Sequence, residues 1–84
     1  MYLMNFFVYV IGSKKNPKRT YVGWTNNIKK RIDKHNKGLG AKFTRGRRWK
    51  LIYSETLKSQ KAAMKREYQL KKDTKFRSII RSKI

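Results

Sequence analysis

The sequence predicts a small α/β (α+β) domain, in which a three-stranded antiparallel sheet is flanked by helices in the order β-β-α-β-α-α. Two observations along the chain support this fold class. Three short runs of β-branched and aromatic residues have strand character, and helical periodicity follows the second and the third run. The chain of 84 residues also contains neither an internal repeat nor an interdomain linker. Residues 1–84 are therefore predicted to form one domain.

The first two strands are predicted to pair as a hairpin. Residues 6–11, FFVYVI, form a buried strand ended by a glycine, and residues 19–23, RTYVG, form a shorter strand. The segment GSKKNPK between them is rich in turn-forming residues. If the hairpin closes symmetrically about Lys15, Tyr9 and Tyr21 lie directly opposite each other on one face of the sheet.

The first helix is predicted to follow the hairpin. Thr25 or Asn26 is the expected N-cap, and Gly38 is the expected C-terminal stop. After the helix, the segment GLGAKFTRGRR is a basic loop with three glycines.

The third strand and two further helices complete the predicted fold. Residues 49–55, WKLIYSE, have strand character. Ser59 is the expected cap of a second helix that runs to about Asp73, and Thr74 is expected to begin a last short helix that ends near Lys83.

The composition indicates a polyanionic partner and excludes several kinds of site. Lys and Arg number 24 against 4 Asp and Glu, for a net charge of +20. Nucleic acid is the natural counterpart of such a charge, whereas an acidic membrane is a weaker alternative because no basic helix carries a bulky apolar face. The absence of Cys excludes disulfides, thiolate zinc sites and a cysteine nucleophile, and a single His excludes a multi-histidine metal cluster.

The apolar N-terminus, MYLMNFFVYVIG, does not have the pattern of a signal peptide. It lacks a basic region before the apolar run and a small-residue cleavage site after it. No segment approaches the length of a transmembrane helix. We therefore expect an intracellular protein, cytoplasmic or nucleoid-associated, without a membrane partner.

An arginine and the only histidine of the chain occupy the apolar side of the first predicted helix. Arg31 and His35 share a helix face with two isoleucines, although the helix has lysines to spare for its outer face. The planar guanidinium of Arg31 suits a phosphate group. The alternative is that both side chains extend from the rim of the helix into water.

A carboxylate occupies the corresponding position on the second predicted helix. Glu67 is surrounded by an apolar stripe, formed by Ala63, Met64 and Leu70. A buried carboxylate is costly unless it is paired or bound to a metal, so the alternatives are a salt bridge to Lys71, a pairing with Arg31, or a metal site. A two-metal nuclease usually needs several converging carboxylates, whereas the chain has 4 acidic residues in all. If the chain hydrolyses a phosphodiester, it should therefore use one divalent ion on one acid.

Four blocks of the sequence resemble the GIY-YIG nuclease superfamily, specifically its short stand-alone proteins, over residues 6 to about 73. FVYVI stands at the position of the first motif, of which only Tyr9 is literally present, and TYVGWT stands for the second, with Val22 in place of isoleucine. The later blocks are IKKRIDKHNKGLGAKFTRGRRWKLIY and KAAMKREYQLKK. The family fold is a three-stranded antiparallel sheet flanked by helices, which matches the predicted order.

The resemblance implies the identity of the site residues. Its catalytic residues would be Tyr9, Tyr21, Arg31, His35 and Glu67. Glu67 would be the ligand of one Mg²⁺ or Mn²⁺ ion. Contacts with nucleic acid are expected from the basic loop, through Lys42, Arg45, Arg47 and Arg48.

The implied activity is metal-dependent endonucleolytic hydrolysis of DNA, branched or structured DNA included, leaving 5′-phosphate and 3′-hydroxyl ends. Tyr9 would activate the attacking water with its pKa lowered by nearby cations, and His35 would accept its proton. Selection of the DNA target would depend on this domain or on a protein partner. A role in DNA repair or recombination is inferred only by analogy with other proteins of the same fold.

The sequence departs from the family pattern at two points, and two alternative functions remain to be distinguished. Gly and Ile of the first motif are lost, and no Asn follows Asn36, although some branches carry one beyond the glutamate. The first alternative is a non-catalytic nucleic-acid-binding module on the same scaffold, and the second is a structural RNA-associated protein. DNA versus RNA and the oligomeric state are also open.

Overall fold

The computed structural model describes residues 5–15 and 17–84. Residues 1–4, with which the apolar N-terminal segment begins, lie outside the described residues. In chain order the elements are β1 (Phe6–Ser13), β2 (Arg19–Thr25), α1 (Ile28–Asn36), a short 3₁₀ turn (Lys42–Thr44), β3 (Lys50–Leu57), α2 (Gln60–Lys72) and α3 (Thr74–Arg81). The three strands form one antiparallel sheet in the order β2-β1-β3, which confirms the predicted fold class.

β1 is the central strand because its residues are apolar on both faces. Val8 and Val10 are buried on one face, and Tyr9 and Ile11 are buried on the other. The strand does not end at Gly12, as the sequence predicted, but continues through Ser13. A side chain at Gly12 would collide with Ile84, so the glycine accommodates packing here rather than ending the strand.

β2 is also longer than predicted, since it includes Trp24 and Thr25. These two residues continue the ladder with β1, opposite Val8 and Phe7. The Trp24 ring lies 6.4 Å from that of Phe6. Packing between side chains of neighbouring strands therefore extends β2 beyond the end predicted from its sequence.

The hairpin register differs by two residues from the symmetric closure considered above. Tyr9 pairs with Gly23, and Ile11 pairs with Tyr21, so the predicted direct opposition of the two tyrosines is wrong. Their shared face is confirmed, because a shift of two residues leaves every side chain on its original face. A side chain at Gly23 would collide with the Tyr9 phenol, so the glycine makes room for that ring across the ladder.

The two faces of the sheet carry separate cores. One combines β-strand valines with side chains from α2 and α3, with Val8, Val10, Val22, Ala63, Leu70 and Ile80 as its buried members. On the other face, Tyr9, Ile11 and Trp49 are buried, and Ile32 of α1 packs against them. The side chains of α1 therefore reach the opposite face of the sheet from those of α2 and α3.

The helix caps agree with the sequence at most ends. Asn27, rather than Thr25 or Asn26, caps α1, because its Oδ1 accepts from the Lys30 amide at 3.1 Å. Gly38 follows the end of α1 with a positive φ of 76°, as its predicted role as a stop requires.

The later caps fall where the sequence placed them. Ser59 caps α2, and its Oγ accepts from the Ala62 amide at 3.1 Å. α3 begins at Thr74, as predicted, with Asp73 as its N-cap. No helix within the described part of the chain is long and apolar enough to cross a membrane.

Candidate active site

The five predicted catalytic side chains converge on one cleft of about 170 Å³. β1 and β2 contribute the two phenols, α1 contributes the guanidinium and the imidazole, and α2 contributes the carboxylate. These residues are Tyr9, Tyr21, Arg31, His35 and Glu67. Because β2 is an edge strand, side chains from both faces of the sheet can contribute to this cleft.

His35 is buried, and both of its ring nitrogens have partners. Nε2 lies 2.8 Å from the hydroxyl oxygen of Tyr9, and Nδ1 lies 2.8 Å from Oγ1 of Thr44. The alternative in which His35 extends into water is therefore wrong. The imidazole connects the first-strand tyrosine to the loop that follows α1.

The hydroxyl of Thr44 determines which nitrogen of His35 carries the proton. Thr44 donates to the carbonyl oxygen of Ala41 at 2.9 Å and accepts from the Ala41 amide at 3.3 Å. Because its one proton is used on that carbonyl, Thr44 accepts from Nδ1–H of His35. Nε2 of the neutral ring is then an acceptor, and Tyr9 donates its phenolic proton to it.

Burial dominates the acidity of the two buried members of the site. It raises the pKa of Tyr9 well above its ordinary value; the nearby Tyr21 adds to the increase, and Arg31 opposes it only in part. The expectation that neighbouring cations lower the pKa of Tyr9 is therefore wrong. Burial, followed by the charge of Arg31, lowers the pKa of His35, so its ring is neutral at pH 7.

The unfolding free energy should fall as the pH drops below 6.5. The pKa of His35 in the folded protein lies below its ordinary value of 6.5. As the pH falls, the unfolded chain therefore binds a proton on this residue at a higher pH than the folded chain does. This contribution to stability is complete above pH 6.5 and is lost as the pH falls through the lower, folded-state pKa.

Thermal unfolding followed by circular dichroism between pH 5 and 8 would measure the effect. The chain has 1 His, and carboxylates titrate mainly below about pH 5, so His35 is the side chain expected to titrate between about pH 5 and 6.5. We expect a constant Tm above about pH 7 and a declining Tm below 6.5. A Tm that does not change down to pH 5 would contradict the buried, neutral state of His35.

Glu67 makes an ion pair within its own helix. Its Oε1 lies 3.5 Å from Nζ of Lys71, and the side chain is 23% exposed. Of the two pairings considered from the sequence, the one with Lys71 is observed, and no ion pair with Arg31 is found among the described residues. Met64, predicted to lie in the buried stripe, is instead exposed, so Glu67 lies at the edge of the apolar core.

The other three acidic residues do not line the cleft. Glu55 pairs with Arg66 at 2.9 Å, Asp73 caps α3, and Asp33 is exposed on α1. Among the described residues, which include every Asp and Glu of the chain, no three potential ligands cluster to hold a metal ion. One partly exposed carboxylate fits a hydrated Mg²⁺-type ion, which binds through one or two carboxylates and keeps several waters.

The four basic residues predicted to contact nucleic acid do not line the cleft. Lys42, Arg45 and Arg48 are exposed on the loop after α1. Arg47 donates to the carbonyl oxygens of Lys15 at 2.9 Å and Pro17 at 3.1 Å, so it connects this loop to the β1–β2 connection. Contact of these four residues with a substrate stays a prediction.

Residues that support the site were missed in the sequence. A side chain at Gly40 would collide with the His35 ring, so this glycine allows the loop to approach the imidazole. Asn36 forms a side-chain clamp on the backbone of Trp49, donating to its carbonyl at 3.2 Å and accepting from its amide at 2.6 Å. The three glycines of the loop were a visible signal of close approach, whereas Thr44 carried none.

Comparisons with known proteins agree with this architecture. A family model described as "GIY-YIG catalytic domain" matches residues 5–79. The chain is 47% identical over 74 residues to UPF0213 protein CPE1444 of Clostridium perfringens, covering 87% of this chain and 77% of the relative. It is 43% identical over 72 residues to UPF0213 protein YazA of Bacillus subtilis, covering 84% and 71%.

A solved structure shares the fold. The solution NMR structure of UPF0213 protein BH0048 from Bacillus halodurans superimposes with a TM-score of 0.51 at 35% identity. The match covers 90% of this chain and 83% of that chain.

Proposed function

Because the chain belongs to the GIY-YIG catalytic domain family, we propose that it is a divalent-metal-dependent endonuclease that hydrolyses DNA phosphodiester bonds. The observation that carries the proposal is the shared cleft of one carboxylate, one guanidinium, two phenols and a neutral imidazole. The net charge of +20 supports a polyanionic substrate.

Glu67 would hold the metal ion, with water and phosphate oxygens as the other ligands. When bound, the ion supplies positive charge that stabilises the leaving 3′ oxygen. Arg31 would donate to a non-bridging phosphate oxygen, where negative charge increases in the transition state. Tyr21, which lines the same cleft, would orient the phosphate or the attacking water.

Tyr9 and His35 would accept the proton of the attacking water together. Tyr9 donates its own proton to Nε2 of His35, which leaves lone pairs of the phenolic oxygen free for a water in the cleft. As the water loses a proton to Tyr9, the phenolic proton would move to Nε2. This coupled transfer avoids a free tyrosinate, which the raised pKa of Tyr9 disfavours.

A plasmid assay tests the proposal. We expect the purified protein to convert supercoiled DNA to the nicked form with Mg²⁺ or Mn²⁺, and to leave it intact in EDTA. Arg31→Ala should slow nicking by about 100- to 1000-fold, because it removes a donor to the developing charge. Lys29→Ala, an exposed position on the same helix, is the matched control and should nick at the wild-type rate.

Two results would contradict the endonuclease. Salt-sensitive DNA binding without cleavage in either metal would favour the non-catalytic binding module. Equal nicking by the wild type and Arg31→Ala would mean that this cleft does not perform the reaction.

A further inference from the structure

A row of planar side chains leads out of the cleft along β2. The Phe43 ring stacks on that of Tyr21, with centroids 6.0 Å apart and planes inclined by 24°. The guanidinium of Arg19 lies 5.5 Å from the Phe43 ring, and Tyr21 itself lies 5.1 Å from the His35 ring. The row therefore connects an outer phenylalanine to the residues of the candidate site.

The outer end of this row presents apolar surface to solvent. Phe43 is 47% exposed, and Leu39, on the same loop, is 72% exposed. Neither residue belongs to the buried core on this face, which consists of Tyr9, Ile11 and Trp49, although the centroid of the Phe43 ring lies 6.2 Å from that of Trp49. Phe43 therefore offers a half-exposed aromatic ring to a ligand at the outer end of the row.

The loop that carries Phe43 is anchored on both sides of it. Thr44 is fully buried, bonded to His35, and its carbonyl oxygen accepts from Nε1 of Trp49 at 2.7 Å. On the other side, the Gly40 backbone packs directly against the His35 ring. The ring of Phe43 is therefore held in place before any ligand arrives, which lowers the entropic cost of binding.

The charges around Phe43 identify the class of ligand. Lys42 precedes it directly and Arg45 follows two positions later, both exposed, and Arg19 lies beside its ring. An aromatic ring among cations is the arrangement with which proteins bind single-stranded nucleic acid, since bases stack on the ring and phosphates pair with the cations. An apolar protein partner that covered the ring would have to remove these three charges from water without pairing them, which is costly.

We propose that Phe43 is a stacking platform for an unpaired base next to the phosphate that is cut. This inference rests on the proposed function and names its substrate class: DNA with unpaired or displaced bases at the cleavage position. In an intact duplex both faces of a base are covered by its neighbours, so the platform would have to pull a base out of the stack before binding it.

Binding measured in EDTA tests the platform without cleavage. Fluorescein-labelled DNA of one sequence is compared as an intact duplex, as the same duplex with a short unpaired bulge, and as a single strand. The wild type should bind the bulged and single-stranded forms more tightly than the duplex. Phe43→Ala should weaken binding of those two forms by about 10-fold or more, and binding of the duplex less than about 2-fold.

Matched variants separate stacking from general effects. Phe43→Trp keeps a stacking surface and, unlike Phe43→Ala, should retain the preference for bulged and single-stranded DNA over duplex. Tyr68→Ala removes another exposed aromatic, one that pairs with Lys72 on α2 and does not line the cleft, and should change no affinity.

The outcomes are distinguishable from those of the cleavage assay. An equal loss for all three DNA forms in Phe43→Ala, or no loss, would overturn the platform. A wild type that binds unpaired bases but cuts nothing would overturn the endonuclease and leave the platform standing.

Discussion

Glu67→Gln is expected to abolish metal-dependent cleavage while the fold and DNA binding are retained. Glutamine keeps the shape of the side chain and removes the charge that would hold the ion. Loss of several kcal/mol of transition-state stabilisation slows cleavage by about 1000-fold or more. The ion pair with Lys71 is a partly exposed i,i+4 pair, so its loss changes the unfolding free energy by less than about 0.5 kcal/mol.

Glu55→Gln is the matched control for this substitution. Glu55 is the other partly exposed glutamate, but its carboxylate is bonded to Arg66 and Tyr53 and does not line the cleft. We expect the control to lower Tm and to leave the specific cleavage rate unchanged. Both rates are measured on supercoiled plasmid, with Tm from circular dichroism and affinity from anisotropy in EDTA. Cleavage by Glu67→Gln at the wild-type rate would contradict the single-carboxylate mechanism.

The fold could be predicted because its signals are local. Strand composition, helical periodicity and capping residues act within a few positions of one another, and they gave the correct element order. The first helix cap was misplaced because Thr25, Asn26 and Asn27 are all good capping residues. Only the backbone path beyond β2 decides that Asn27 is the one whose side chain meets the Lys30 amide.

The hairpin register could not be predicted because the hydrophobic pattern does not distinguish shifts of two residues. Such a shift exchanges no side chain between faces, so the pairing of Tyr9 with Gly23 depends on how the ring fits over the glycine. The convergence of Tyr9, Tyr21, Arg31, His35 and Glu67 did not depend on that detail.

The acidity of Tyr9 was mispredicted because it depends on distances through space. The count of cations in the sequence suggested a lowered pKa. In the folded protein, burial of the phenol outweighs the charge of Arg31, and the pKa rises. Thr44 was missed for a similar reason, since nothing in a basic loop marks one threonine as the partner of a buried histidine.

Thr44→Val is expected to impair both stability and catalysis, although Thr44 does not line the cleft. The valine matches the shape of threonine but cannot accept from Nδ1–H of His35, which is buried. A buried donor without a partner costs about 1–3 kcal/mol, so Tm should fall by about 10 °C. Without the hydroxyl, the proton of the imidazole is no longer held on Nδ1, and Nε2 is no longer kept free to accept from Tyr9.

Thr44→Ser separates the hydroxyl from the methyl group. Serine retains the oxygen that donates to the Ala41 carbonyl and accepts from His35, so its cleavage rate should stay within about 2-fold of wild type, whereas Thr44→Val should lose about 10-fold or more. Rates are compared at pH 7.5 and at a temperature at least 15 °C below the Tm of the weaker variant, so that unfolding does not contribute. A cleavage rate in Thr44→Val equal to that in Thr44→Ser would show that the tautomer of His35 does not matter. The proton would then leave the attacking water by a route other than Tyr9 and His35.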